Sequence, residues 1–307
     1  MKHKNPLTIL LLDCLIFFGC TSSLIKVYSD NQENPYVIHK ALEMSLLVSE
    51  PKIIDPVALA FDHKCQLYVV EMRDYPTGVP KRSKGGSVKL LTDTNGDGKY
   101  DRITQFAGKL SYPTSVTAWK EGVLVAAPPN IIYLKDTNGD GISDIRKTLV
   151  SGFKLGVTDS NFNSLRWGID NWIHGANGGN GGKVRFSEQN KPFTSLRNLD
   201  FRIRPNTFQL ETTSQTGGGF GLIFNEWGHS FTTYNIDYLQ QRIIPQKYID
   251  RANNLPSFEA TKNISIHGKM ARIFPIAEAE TRVNHPEQAG YFSSAGGMGY
   301  LGISGYP

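Results

Sequence analysis

The chain has 307 residues, of which 39% are hydrophobic and 20% charged, and its formal net charge is +5. This is an ordinary globular composition, long enough for one large domain or two small ones. No run of five or six basic residues occurs, which argues against a nucleic acid partner. Thirty glycines and 16 prolines separate short apolar stretches. This pattern is typical of an all-β protein.

Residues 1–19 have the pattern of a secretory signal peptide, with a basic start, a short apolar core and small residues before the break. The apolar core is too short for a stable membrane span. The stretch "FFGC" ending at Cys20 resembles a bacterial lipobox, in which cleavage leaves lipid on the cysteine. We expect an exported lipoprotein of the bacterial cell envelope, in contact with the membrane through that lipid alone. The alternative is a plain signal peptide.

After a tether and lead-in strand at residues 20–50, the organisation becomes repetitive. Two units each contain a proline, two short apolar strands joined by a polar turn, a third strand and an Asp-rich loop. The loops begin at Asp93 and Asp136, 43 residues apart. This is the size of one four-stranded β-propeller blade. A third unit contains "SLRWG", "NWIHGA", "KVRFS" and "DFRIRP", and a fourth is "FGLIFNEWGHSFTTYN". Residues 51–307 therefore predict a propeller of four blades and the start of a fifth, incomplete at its C-terminus.

The two Asp-rich loops share one spacing of oxygen-bearing side chains, at relative positions 1, 3, 5 and 9. The residues are Asp93, Asn95, Asp97 and Asp101 in the first loop and Asp136, Asn138, Asp140 and Asp144 in the second. Such spacing wraps oxygens around one point, as Ca²⁺ requires. The flanking segments are strand-like and no Glu stands at position 12, so these are not EF-hands. We expect structural Ca²⁺ sites; the alternative is that Asn-Gly and Asp-Gly simply form hairpin turns.

Four stretches resemble a known family: "SEPKIIDPVALAFDHKCQLYVVEMRDYP", "GGSVKLLTDTNGDGKYDRITQFA", "LRWGIDNWIHGANG" and "FNEWGHSFTTYN". They are similar to the N-terminal propeller of bacterial putative membrane-bound dehydrogenases, which are grouped with soluble quinoprotein glucose/sorbosone dehydrogenases. The resemblance implies a six-bladed propeller of the TolB-like or quinoprotein glucose dehydrogenase-like type. It also implies pyrroloquinoline quinone in the axial mouth and oxidation of a sugar or alcohol. Longer relatives carry a CxxCH cytochrome c domain, so a cytochrome c could accept electrons in trans.

The resemblance suggests which residues surround the mouth. Candidate catalytic residues are Asp159, His229 and Arg73, and candidate cofactor-binding residues are Glu71, Asn163, Arg166, Asn235 and Asp237. The sequence departs from the family at Ser160, where a His general base is expected; a serine does not fill that role. His174 is interpreted as a packed or hydrogen-bonded histidine. The four tryptophans are interpreted as core residues between blades.

Three functions are consistent with these features. The first is a quinoprotein-type dehydrogenase acting on a sugar or related alcohol. The second is a non-catalytic propeller scaffold that binds a carbohydrate or a partner. The third is a calcium-dependent lactonase-type hydrolase, for which Glu71, Asn163, Asn235 and Asp237 supply suitable residue types.

Overall fold

The computed structural model describes residues 42–75, 85–156, 161–190, 192–214, 220–252, 259–274 and 286–302. These residues form 18 β-strands, one short α-helix (α1, Gln246–Ile249) and 3₁₀ turns at Pro205–Thr207 and Pro286–Gln288. No described helix is long and apolar enough to cross a membrane. The fold is thus nearly all-β, as the sequence predicts.

The first sheet, blade 1, contains four antiparallel strands in sequence order. They are β1 (Pro56–Phe61), β2 (Leu67–Glu71), β3 (Gly86–Thr92) and β4 (Arg102–Leu110). The turn after β1 forms because the Asp62 carboxylate accepts the backbone N–H groups of Lys64 and Gln66, at 2.8 and 2.9 Å. The polar turn predicted between the first two strands of this unit is therefore confirmed.

Blade 2 repeats this order and carries an additional hairpin on its outer edge. Its strands are β5 (Ser115–Trp119), β6 (Gly122–Ala127), β7 (Asn130–Lys135) and β8 (Ile145–Phe153), joined by β11 (Gly182–Phe186) and β12 (Thr194–Ser195). The sequence assigned "KVRFS" to the third unit, but this segment is β11 and pairs with β8. Gly152 of β8 permits the close approach of β11. Its φ is +102°, and a Cβ there would lie 2.0 Å from the Lys183 carbonyl oxygen.

Two further four-stranded antiparallel sheets follow. Blade 3 contains β9 (Asn163–Trp167), β10 (Ile173–Ala176), β13 (Phe201–Arg204) and β14 (Gln209–Thr212). Blade 4 contains β15 (Leu222–Phe224), β16 (Ser230–Tyr234), β17 (Asp237–Arg242) and β18 (Thr261–Asn263). The last two strands lie beyond the stretch "FGLIFNEWGHSFTTYN" that the sequence assigned to the fourth unit. Four consecutive antiparallel sheets give a propeller-like fold, and no closed barrel forms in the described part of the chain.

Apolar clusters join the first three blades. Between blades 1 and 2, Phe106 and Val88 pack with Val125. Between blades 2 and 3, Phe153 stacks on Phe162 with ring centroids 3.9 Å apart. Among the described residues, the buried apolar clusters include none from blade 4. The junction of blades 3 and 4 is therefore held differently from the other two.

The innermost strands of the blades run side by side in the same direction. At the start of β9, the Phe162 carbonyl accepts the Thr114 hydroxyl at 2.6 Å. At its end, the Trp167 indole N–H donates to the Ala118 carbonyl at 3.0 Å. We call the end where β1, β5, β9 and β15 begin the upper end, and the other the lower end. Because the strands alternate in direction, both Asp-rich loops lie at the lower end, between third and fourth strands.

The second Asp-rich loop binds the outer strand of blade 1. The Thr104 hydroxyl donates to the Gly141 carbonyl at 3.0 Å, and Ser143 N–H donates to the Phe106 carbonyl at 2.9 Å. The Arg146 guanidinium donates to the carbonyls of Gly108 and Lys109 at 2.8 and 3.0 Å. The loop therefore links two consecutive blades.

We expect Thr104→Val to lower the free energy of unfolding by about 1 kcal/mol, because the half-buried Gly141 carbonyl loses its donor. Urea unfolding measures the change. Thr148→Val is the matched control, since the Thr148 hydroxyl has no hydrogen bond within the described ranges. Equal losses in both variants would contradict the linking role.

Candidate functional site

The predicted mouth residue Glu71 lies at the upper end, where it is fully buried. Its carboxylate accepts the Ile54 N–H and the Arg73 guanidinium, each at 2.9 Å, and the Ser87 hydroxyl. These bonds join the lead-in segment, β2 and β3. The Arg73 side chain is 39% exposed, so it is the part of this group that solvent reaches.

Asn163, Asn235 and Asp237 also lie at the upper end, on blades 3 and 4. Buried Asn163 donates to the Asn161 carbonyl at 2.9 Å. The Asn235 side chain accepts the Ser294 N–H at 2.6 Å. Buried Asp237 accepts amide N–H groups from Gln240 and Asn263. Each of the three side chains is thus engaged in hydrogen bonds, and Glu71 has separate partners.

The remaining candidates lie elsewhere. Asp159, Ser160 and Cys20 fall outside the described residues. His229 lies at the lower end, in the loop between β15 and β16, where its backbone N–H donates to the Asn225 side chain at 2.8 Å. The structure therefore places His229 at the opposite end of the blades from Glu71 and Asn235.

A channel runs between the four innermost strands. Its volume is about 540 Å³, within the range of small-ligand sites. Arg166 and Trp167 of β9 line it beside Phe61 of β1, with hydroxyls from Thr117 and Ser164. The Trp167 side chain is 45% exposed although its indole N–H is bonded to Ala118. The interpretation of every tryptophan as a core residue is therefore wrong for Trp167, and also for Trp227, which is 68% exposed.

The Asp-rich loops are held by hydrogen bonds to their own backbone. In the first loop, the two Asp93 oxygens accept the N–H groups of Gly96 and Gly98, each at 2.7 Å. In the second loop, Asp136 accepts those of Gly139 and Gly141 at the same distance. In the described residues, no three His, Cys, Asp or Glu side chains are gathered around one point, and this holds for the carboxylates of both loops. The fixed spacing of the loops thus has a structural explanation in turn formation.

A second group of polar residues, which the sequence did not single out as a site, lies between blades 3 and 4. His174 is buried, and its Nε2 lies 3.1 Å from both Asp170 oxygens, so its interpretation as a hydrogen-bonded histidine is confirmed. Arg242 of blade 4 forms a buried ion pair with Asp200 of blade 3. The Asp170–His174 spacing around one turn is visible in the sequence. The Asp200–Arg242 pairing is not, because 42 residues separate the partners.

Burial lowers the pKa of His174, although the Asp170 carboxylate acts in the opposite direction. Desolvation tends to raise the pKa of Asp170, but the contacts with His174, the Trp172 N–H and Arg202 outweigh it and lower that pKa. An ionised Asp170 beside a neutral His174 is the arrangement that these contacts favour near neutral pH.

A family model described as "Domain of unknown function (DUF7133)" matches residues 31–305. The chain belongs to this family. No curated protein matches the chain. A crystal structure of a protein from Lactobacillus plantarum is 14% identical, with a TM-score of 0.38. The match covers 73% of this chain and 58% of the other. The family assignment thus covers nearly the whole chain and leaves its activity to be inferred.

The second Asp-rich loop yields a pH prediction. The Thr137 backbone N–H and hydroxyl donate to Asp144 at 2.7 and 2.9 Å and lower its pKa from 3.8. A lowered folded-state pKa gives stability that is present above pH 3.8 and is lost as pH falls through the folded-state value. Asp144→Asn should therefore be less stable than the wild type near pH 6, and the difference should disappear in acid.

An NMR titration of the Asp144 carboxyl checks whether the Thr137 hydrogen bonds lower its pKa. Thr137→Val removes one donor and should move the pKa back towards 3.8. An unchanged titration in this variant would show that the Thr137 hydroxyl does not stabilise the carboxylate.

Proposed function

We propose that this chain is a carbohydrate-binding propeller domain whose channel takes a neutral sugar or a related alcohol. The observation that carries the proposal is the channel of about 540 Å³ between the innermost strands, with Arg166 and Trp167 side by side on its wall. The rest of the channel lining consists of hydroxyl-bearing side chains and apolar strand residues. Sugars present both hydroxyl edges and apolar faces, and this lining complements both.

The wall is ordered before a ligand arrives. The indole N–H of Trp167 is bonded to the Ala118 carbonyl, and the Leu165 N–H donates to the Ser115 hydroxyl at 2.8 Å. A ring held in this way offers a stacking surface at low entropic cost. Arg166 on the same strand is exposed and supplies hydrogen-bond donors for ligand oxygens.

A more specific hypothesis is that the domain also oxidises the bound alcohol. This hypothesis rests on the family resemblance. Arg166 in the channel and Arg73 at the upper end are the cations that would meet the carboxylates of pyrroloquinoline quinone. When bound, this cofactor accepts a hydride from an alcohol carbon. The chain would then be an exported envelope protein, anchored by lipid on Cys20, that passes electrons to a cytochrome c.

We expect neutral hexoses or hexitols to raise the melting temperature of the full chain, since a ligand that binds only the folded state stabilises it. Arg166→Ala should weaken binding about 10-fold or more, the scale for a lost hydrogen bond to a charged group. Isothermal titration calorimetry measures the affinity.

Arg185→Ala is the matched control, because Arg185 lies over the Phe193 ring on the outer hairpin, away from the channel. Equal affinities in the two variants, or no effect of any sugar in the panel, would contradict the proposal. Adding pyrroloquinoline quinone and a reducible dye tests the dehydrogenase hypothesis. Sugar binding without dye reduction would support a non-catalytic scaffold and reject a dehydrogenase.

We also propose that the two Asp-rich loops bind Ca²⁺ as structural sites. One backbone N–H uses one lone pair of each Asp93 oxygen and of Asp136 Oδ2, and the second lone pair of these oxygens could ligate a cation. The remaining carboxylates of each loop would then turn towards it. The double variant Asp93→Asn/Asp136→Asn should lose two Ca²⁺ sites in calorimetry and the Ca²⁺-dependent rise in melting temperature. A wild-type chain without any Ca²⁺ effect would overturn this proposal.

A further inference from the structure

A separate cavity of about 380 Å³ lies between blades 3 and 4, distinct from the channel between the innermost strands. Blade 3 contributes His174 of β10 and Arg202 of β13 to its wall, and blade 4 contributes Arg242 at the end of β17. The segment from Ile243 to Lys247 completes the wall. The volume falls within the range of small-ligand pockets, and the lining is rich in charged and hydroxyl groups.

Three residues of this wall each have a buried polar atom without a hydrogen-bond partner: Nδ1 of His174, Oγ1 of Thr213 and Nε of Arg242. The side chains of His174 and Arg242 are only 9% and 7% exposed. Leaving such an atom unpaired in the folded state is unfavourable. Native proteins usually satisfy buried polar atoms, so these three are the atoms of the wall that a polar ligand would satisfy.

The protonation of His174 follows from its neighbours. A carboxylate only accepts hydrogen bonds, so the Nε2 atom facing Asp170 carries the proton. In the neutral ring, Nδ1 is then an acceptor. The edge-on contact with Phe224, with ring centroids 4.8 Å apart, helps to hold this orientation. The missing partner of His174 is therefore a hydrogen-bond donor, such as a ligand hydroxyl.

The opposite requirement holds at Arg242. Its Nη2 donates to Asp200, which leaves the Nε–H as a donor that needs an acceptor. The two lining carboxylates, Asp170 and Glu211, are both bonded to Arg202. Lys247 forms no ion pair with any described carboxylate. The two carboxylates share one guanidinium, so excess negative charge lies on the blade 3 side, whereas Lys247 is a lining cation without a described carboxylate partner on the blade 4 side.

We propose that this cavity binds a small sugar acid. A ligand hydroxyl donates to Nδ1 of His174, a second oxygen bonds the Thr213 hydroxyl, and the carboxylate accepts the Arg242 Nε–H and pairs with Lys247. All three unpartnered atoms are closed off from solvent. Binding therefore includes small side-chain shifts that expose them to the ligand.

The test is calorimetric titration of the full chain with D-glucuronate, with D-glucose as the neutral counterpart. Glucuronate should bind at least 10-fold more tightly than glucose, in a complex that Lys247→Ala weakens about 10-fold. Lys262→Ala, which removes an exposed lysine on β18, should leave the affinity unchanged. No glucuronate binding, equal affinity for both sugars, or equal affinity of both lysine variants would overturn the proposal.

Thr213→Val separates ligand binding from a structural role. It removes a buried hydroxyl that has no partner, so the melting temperature without ligand should not fall, while glucuronate binding should weaken. Unchanged binding in this variant would overturn the assignment of Thr213. Arg166→Ala should leave glucuronate binding intact; loss of binding there would place the acid in the channel and reject the cavity.

Discussion

The structure depends on one constraint: each blade is a sheet with two apolar faces, and both must be covered. Blade 2 shows this most clearly, with Val125 in the cluster shared with blade 1 and Leu124 in the cluster shared with blade 3. Consecutive residues of one buried strand thus serve two different interfaces. Because blades 1, 2 and 3 pack face to face, their innermost strands are brought side by side, and the channel between them is a consequence of that packing.

The junction of blades 3 and 4 departs from this rule, and the departure explains the second cavity. Here the buried Asp200–Arg242 ion pair and the Asp170–His174 contact replace an apolar cluster. Charged groups need partners in fixed directions and do not fill space as interlocking aliphatic side chains do. A polar junction can therefore leave room that an apolar one would close. The same polar residues, His174 and Arg242, are the groups that would bind a ligand in this cavity.

Much of the fold could be predicted because its signals are local. Proline, turn residues and the 43-residue spacing of Asp93 and Asp136 marked the blades. Gly152, which lets β11 pair with blade 2, gave no such signal, because the need for it arises from a strand about 30 residues later. Among the candidate site residues, Glu71 lies at the end of β2, but its bonds to Ile54 and Ser87 are set by tertiary contacts that the sequence does not show. The exposure of Trp167 and the pairing of Arg242 with Asp200 likewise exist only once blades pack together.

The central claim is that the innermost strands form the wall of the ligand site. Hydrogen–deuterium exchange of the full chain, with and without a neutral hexose, tests it most directly, because it locates protection without any substitution. The account predicts slower exchange in residues 114–117 and 164–167, with little change in β4 and β8. Protection confined to the outer strands, or to the Asp-rich loops, would contradict it.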